Sequence, residues 1–349
     1  MTWLAWRQLR TPAAFAALAV LAIMVLLGLT GPHLLSVYNT VVAPCAAHGN
    51  CAFVTANFRG IDSELTHLSS SAVLIAPVLF GIFLGAPLVA RELEAGTYRL
   101  AWTQSVTRTR WIATRLTLVI LVSVVLTGLL STAVTWWQRP LDVVNSGLWG
   151  NFDERDLVPV AFTVFSVALG AFLGAVARRT LVAMAATIAG YAVVRYLVSE
   201  YVRPNLFAPL KTSLPFHLQV TLTGAGATIG PPQPSDWPVS QQIVTGTGKV
   251  IGGNWMNLGG FDVTSGGKTV LTGVGPCPNR IPPHALSQST PTTVAALQRC
   301  IDSFHLRNIV SYQPASRYWP LQWSEAAIFV AFAVALCAGC LWYVRRRLP

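Results

Sequence analysis

Residues 90–115 read ARELEAGTYRLAWTQSVTRTRWIATR. The stretch is basic and polar, and it separates two long apolar runs, one ending at Val89 and Ala90 and the next beginning near Leu116. A short arginine-rich segment between two membrane spans is expected to face the cytoplasm. The rest of the chain can be placed relative to it.

Composition agrees with a membrane protein. The 349 residues are 53% hydrophobic and 11% charged, and mean hydropathy is +0.53. A soluble protein carries roughly 25% charged residues, so this chain has too little charge to coat a soluble surface. Its net charge of +11 comes from arginines clustered at the ends of apolar runs, where anionic lipid and the insertion machinery read them. No basic stripe interleaved with aromatics lies on a polar helix, so nucleic acid is not an expected partner.

Working outward, apolar runs predict spans at Ala13–Leu29, Ala72–Ala90, Leu116–Trp137, Leu157–Ala177, Leu181–Ser199 and Glu325–Val344, each near the ~20 residues that cross a bilayer. The first is too long for a signal-peptide core and has no A-x-A-like site after it, so it reads as retained. Arg7, Arg10, Arg91, Arg99, Arg108, Arg110, Arg115, Arg178, Arg179 and Arg345 to Arg347 fall on one side of this layout. The short loops opposite carry only Arg59, Arg139 and Arg155. Both termini are therefore expected on the cytoplasmic side of the membrane. Residues 2–11 alternate Trp3, Leu4, Trp6 and Leu9 with Arg7 and Arg10, which predicts a short amphipathic helix in the inner interface or only the positive flank of the first span.

Residues 1–199 thus hold the N-terminal segment, five spans and the 91–115 loop; residues 325–349 hold the sixth span and a basic tail. Residues 200–324 form a large, turn-rich outer region with expected strands at His217–Leu222 and Lys268–Thr272 and an expected helix at Thr292–Phe304. The fold class is an all-α polytopic membrane protein with a small mixed, disulfide-containing ectodomain. Residues 30–71 and 138–156 are the other two outer loops. Of the six cysteines, Cys45 and Cys51 share one outer loop and Cys277 and Cys300 the large outer region, which suggests Cys45–Cys51 and Cys277–Cys300 disulfides.

Candidate chemistry is sparse. Asp262–Thr269 reads DVTSGGKT, but a phosphate loop needs Gly where Asp262 stands; in GTGK, from Gly246 to Lys249, Val250 stands where Ser or Thr is required. No ATPase site is expected in this chain. Cys337 and Cys340 form a C-x-x-C inside an apolar helix, read as packing, with a membrane thiol oxidoreductase as the competing reading. The six histidines show no metal spacing, so no metal site is expected. Gly81/Gly85 and Gly170/Gly174 are small-residue pairs that allow close helix approach to partners the pattern does not identify. Arg195 is expected to pair with Glu200, to snorkel to the interface or to line a path. Trp102 and Trp111, with Arg99, Arg108 and Arg110, read either as part of an ordinary positive-inside loop, which composition alone favours, or as exposed anchors for a protein partner. A membrane-anchored receptor with a ligand-binding ectodomain is a further reading of the layout.

The run from Gly85 through Arg91-Glu92-Leu93-Glu94-Ala95-Gly96-Thr97 to Leu100 resembles the junction of second span and coupling helix in ABC type-2 exporter permeases. Trp102 to Trp111 and Tyr312 to Glu325 resemble the actinobacterial branch of that class. The resemblance implies a permease subunit with no cofactor of its own, ATP and Mg being bound by a separate ABC ATPase that docks on residues 91–115. It implies a second permease copy or paralogue, and export of an unknown substrate. Glu92, Glu94, Gly96, Arg99, Trp102, Gln104, Arg108, Arg110 and Trp111 are the implied coupling residues, with Gly96 permitting the turn into the helix. The long 200–324 region departs from the shorter segment many such permeases have there.

Overall fold

The computed structural model describes residues 2–48, 51–61, 63–95, 107–144, 147–215, 217–221, 224–228, 233, 235–244, 246, 248, 250–253, 261–264, 268–271, 305 and 307–347. It divides into two compact units, residues 1–206 with 318–349, and residues 207–317.

The first unit is helical. Its principal helices are α1 (Thr2–Val37), α2 (Ala43–His48), α3 (Ala52–Gly60), α4 (Ser63–Phe80), α5 (Pro87–Glu94), α6 (Arg108–Val144), α7 (Val158–Ala177), α8 (Thr180–Leu197) and α9 (Tyr318–Arg347). Among the described residues, six helical stretches are long and apolar enough to cross a membrane. They include the expected spans and overrun them. Residues 2–11 are not a separate helix: α1 runs unbroken from Thr2 through Pro12, since a proline removes only a single backbone donor. Residues 30–71, expected as a loop, are largely helical, with a π turn at Tyr38–Val42 between α1 and α2. The expected 138–156 loop contracts likewise, as α6 persists to Val144 and a 3-10 turn occupies Trp149–Glu154.

Packing explains which apolar residues face inward. On α1 the buried positions Ala13, Val20, Leu27 and Leu34 recur every seven residues, while Phe15, Leu18 and Leu29 remain exposed. A seam this narrow leaves the remaining circumference apolar and uncovered, as suits a helix solvated by lipid. The facing seam on α6 runs Val119, Ser123, Leu126, Leu130, Val134, Trp137, Leu141 and Val144, all buried. The two helices are joined by Trp137, whose indole N–H donates to Thr30 Oγ1 at 3.0 Å. Central α7 is the most enclosed helix. Its Phe162 and Phe165 meet Phe329 of α9 edge-on, with centroids 4.6 and 5.4 Å apart, a geometry that aromatic quadrupoles favour.

The two glycine pairs find each other. Gly81–Gly85 is a π turn between α4 and α5, and it lies against α7. A Cβ on Gly81 would stand 2.8 Å from the Ser166 carbonyl oxygen, and one on Gly85 2.7 Å from that of Val167. A Cβ on Gly170 would strike the Gly81 carbonyl oxygen, and one on Gly174 that of Ala86. Backbone meets backbone here, which only glycine allows.

The second unit holds β1 (Leu210–Pro215), β2 (His217–Thr221), β3 (Gly224–Thr228), β4 (Trp237–Val244), β5 (Val250–Gly253), β6 (Phe261–Thr264), β7 (Lys268–Leu271) and β8 (Arg307–Gln313). A four-stranded antiparallel sheet has the order β1-β8-β4-β5; β2-β3 and β6-β7 are separate hairpins. Gln313 Nε2 donates to the Phe207 carbonyl at 2.6 Å and Arg317 to that of Ala208 at 2.7 Å, tying the two ends of the unit together. The expected strands at 217 and 268 are present. The expected helix at 292–304, Cys277 and Cys300 lie outside the described residues. Cys45 and Cys51 form a disulfide.

Candidate functional site: the basic end of the helix bundle

The helices bracketing the 90–115 stretch reach further into it than its composition suggests. Glu92 and Glu94 belong to the last turns of α5, and Arg108 to Arg115 open α6. Gly96, Arg99, Trp102 and Gln104 lie outside the described residues, as does the side chain of Arg108. Arg110 is exposed.

Both glutamates have partners within the chain. Glu92 Oε1 accepts from both terminal nitrogens of Arg115 at 2.9 Å. That guanidinium also lies over the Trp111 ring, 4.4 Å from its centroid, an arrangement in which the planar cation uses its edge and its face at once. Glu94 Oε2 accepts from the Thr180 backbone N–H at 3.1 Å and from its hydroxyl at 2.7 Å. Glu94 therefore caps α8 from another helix, placing a carboxylate at the positive end of the helix dipole. The ends of α5, α6 and α8 are thus fastened together around the 95–107 connection.

Trp111 departs from its expected exposure. It is 5% exposed and packs with Val89, Ile112, Ala175, Cys340 and Val344, where α5, α6, α7 and α9 converge. It begins the buried seam of α6, so its side chain points into the bundle and is a packing residue. Cys340 belongs to the same cluster, its thiol directed at the Ala171 carbonyl 3.7 Å away, and Cys337 and Cys340 are free thiols. The DVTSGGKT run is split between the antiparallel strands β6 and β7, with Thr264 opposite Lys268, so Lys268 and Thr269 lie in a strand where a phosphate loop would begin a helix.

The opposite end of the bundle contains a network that the sequence reading missed. Arg203 donates to both carboxylate oxygens of Glu325 at 2.6 and 2.8 Å and also pairs with Asp153. Arg195 pairs with Asp153 at 3.3 Å and lies over Phe162; its described carboxylate partner is Asp153, where Glu200 was one expectation. Arg155, fully buried, bonds Asp142 at 2.5 Å and Gln138 at 2.5 and 3.0 Å. Gln322 of α9 accepts from Val158 N–H at 3.2 Å and so caps α7, and Tyr318 donates to Asp156 at 2.7 Å. The sequence signals were the acidic cluster Asp153, Glu154 and Asp156 around Arg155, and Arg195 within an apolar run; buried charges of this kind require partners.

A family model described as "ABC-2 membrane transporter related" matches residues 15–203. No curated protein matches the chain, and no solved structure does.

Proposed function

The chain belongs to the ABC-2 membrane transporter related family, a multi-pass membrane family, and from that premise we propose that it is the permease subunit of an ABC exporter. A separate ATPase subunit, binding ATP and Mg, docks on the connection between α5 and α6. Both termini are cytoplasmic, the basic end of the bundle faces the ATPase, and two permease halves, identical or paralogous, form the path. The observation that carries the reading is the family match over residues 15–203, which includes the first five spans and the connection.

The bonds around the connection suggest how force would pass. A push on residues 95–107 reaches α6 through Glu92 and Arg115, and α8 through Glu94 and the start of that helix. Closure of the ATPase on ATP would then tilt three helices together. A ligand shifts only states it distinguishes, so the differential contact belongs in this connection, with Gly96, Arg99, Trp102, Gln104, Arg108 and Arg110 as the coupling residues. Glu92 and Glu94 act as the fasteners.

Purification from native membranes in mild detergent, followed by mass spectrometry, tests the proposal: an ATP-binding-cassette ATPase should accompany the chain. Its absence under several detergents would overturn the reading. Replacing Arg99 and Trp102 by Ala should uncouple ATP hydrolysis from export, and retained coupling would remove the docking site from this connection.

A further inference from the structure

A cavity of about 490 Å³ opens at the basic end, between the first turns of α1, the end of α5 and the start of α6. Its volume lies within the roughly 300–1,000 Å³ of small-molecule sites. The lining is divided. Arg7, Arg91, Arg115 and Glu92 supply charge, whereas Phe83, Leu84, Leu88 and Leu118 are among the residues that form an apolar wall. Glu92 is engaged by Arg115. Arg7 and Arg91 are exposed, and among the described residues neither has an ion-pair partner. Three cations against one carboxylate leave the lining at +2.

An occupant that satisfies both halves has an anionic head and an apolar tail. We propose that the cavity binds one anionic phospholipid, its phosphodiester between Arg7 and Arg91 and its acyl chains along Leu88 and Leu118. Arginine suits this role because its guanidinium matches phosphate geometry. Flanked by α1 on one side and α5 on the other, the lipid joins the N-terminal helix to the segment that ends in Glu92 and Glu94. That the lipid comes from the cytoplasmic leaflet rests on the orientation proposed above; the site itself does not.

Native mass spectrometry of the full chain, titrated with phosphatidylglycerol, phosphatidylcholine or inorganic phosphate, reads the site without an ATPase or a transport substrate. Phosphatidylglycerol should be retained in preference to phosphatidylcholine, and millimolar phosphate should not displace it. A basic side chain near an anionic lipid surface contributes roughly fivefold in affinity, so R7Q/R91Q should weaken phosphatidylglycerol binding about thirtyfold. R345Q/R346Q, which removes two cations at the end of α9 outside the cavity, should leave it unchanged. L118W, which fills the apolar wall without altering charge, should also reduce it. Equal losses in the two arginine pairs, displacement by phosphate, equal binding of the two lipids, or full retention in L118W would each overturn the proposal. Failure here leaves the exporter reading intact, because ATPase co-purification is read separately.

Discussion

The pair formed by Arg203 and Glu325 gives the most exacting test of the fold. Glu325 is 1% exposed and Arg203 9%, so neither charge is solvated, and two hydrogen bonds at 2.6 and 2.8 Å join them. Removing one member of a buried pair costs about 3–5 kcal/mol, because the other is stranded. The surroundings order the two single variants. E325L leaves Arg203 with Asp153, which is still paired, and should lie near the lower figure of about 3 kcal/mol. R203M leaves Glu325 without its hydrogen-bonded partner, with Arg195 acting on it only through space, while Asp153 keeps Arg195, and should lie toward the upper figure of about 5 kcal/mol. The double variant R203M/E325L removes both charges and should return to within ~1–2 kcal/mol of the parent, since an apolar pair of similar volume often replaces a buried ion pair without loss. Reversible unfolding in mixed detergent micelles reads all three, and the double-mutant cycle isolates the coupling. Single losses below ~1 kcal/mol would match a solvated surface pair and refute the burial. A double variant as unstable as the sum of the singles would refute the pairing.

Four further outcomes follow from the same structure. G170A should cost about 1–3 kcal/mol by overpacking against Gly81, whereas G28A, where a side chain meets nothing within 4 Å, should stabilise by up to ~1 kcal/mol; the same unfolding assay compares them, and equal effects would refute the close approach of α7. E94A should speed amide hydrogen exchange over the first turn of α8 while leaving α7 unchanged, and an unchanged first turn would remove the cap. W111A should lose about 3–5 kcal/mol as a core truncation, with folded yield and ATPase coupling falling together; normal stability with selective uncoupling would instead place Trp111 at the ATPase. C337S/C340S should transport and fold as the parent does, and loss of activity would revive a redox role.

Much of the bundle was legible because a membrane helix announces itself by length and apolarity alone. The arginine bias and the glycine spacing were equally plain. What the pattern could not supply was pairing. Gly81 and Gly170 are separated by a whole intervening span, and nothing in G-x-x-x-G says which helix it meets. Arg203 and Glu325 are 122 positions apart, and the charge of each, read alone, suggests an interface. Trp111 was misread because its neighbours Arg108 and Arg110 made the local composition polar; the three- and four-residue seam that buries it becomes visible only when α6 is known to begin at Arg108. The expected loops proved helical for a related reason: composition marks where apolarity stops, while the backbone hydrogen bonds of a helix depend on chain geometry and continue past that point.

The bonds between Gln313 and Phe207, and between Arg317 and Ala208, have an evolutionary consequence. Both bonds lie inside the 207–317 unit and join its first residues to its last, so the departing and returning segments are held together where the unit starts and ends. The entropy of closing such an excursion rises only by about 0.6 kcal/mol for each doubling of its length. A lineage can therefore lengthen, trim or exchange everything between Ala208 and Gln313 while α8 and α9 stay in place. The helical unit and the 207–317 unit are free to evolve at different rates, and the paired ends of the latter are where a graft would be cut.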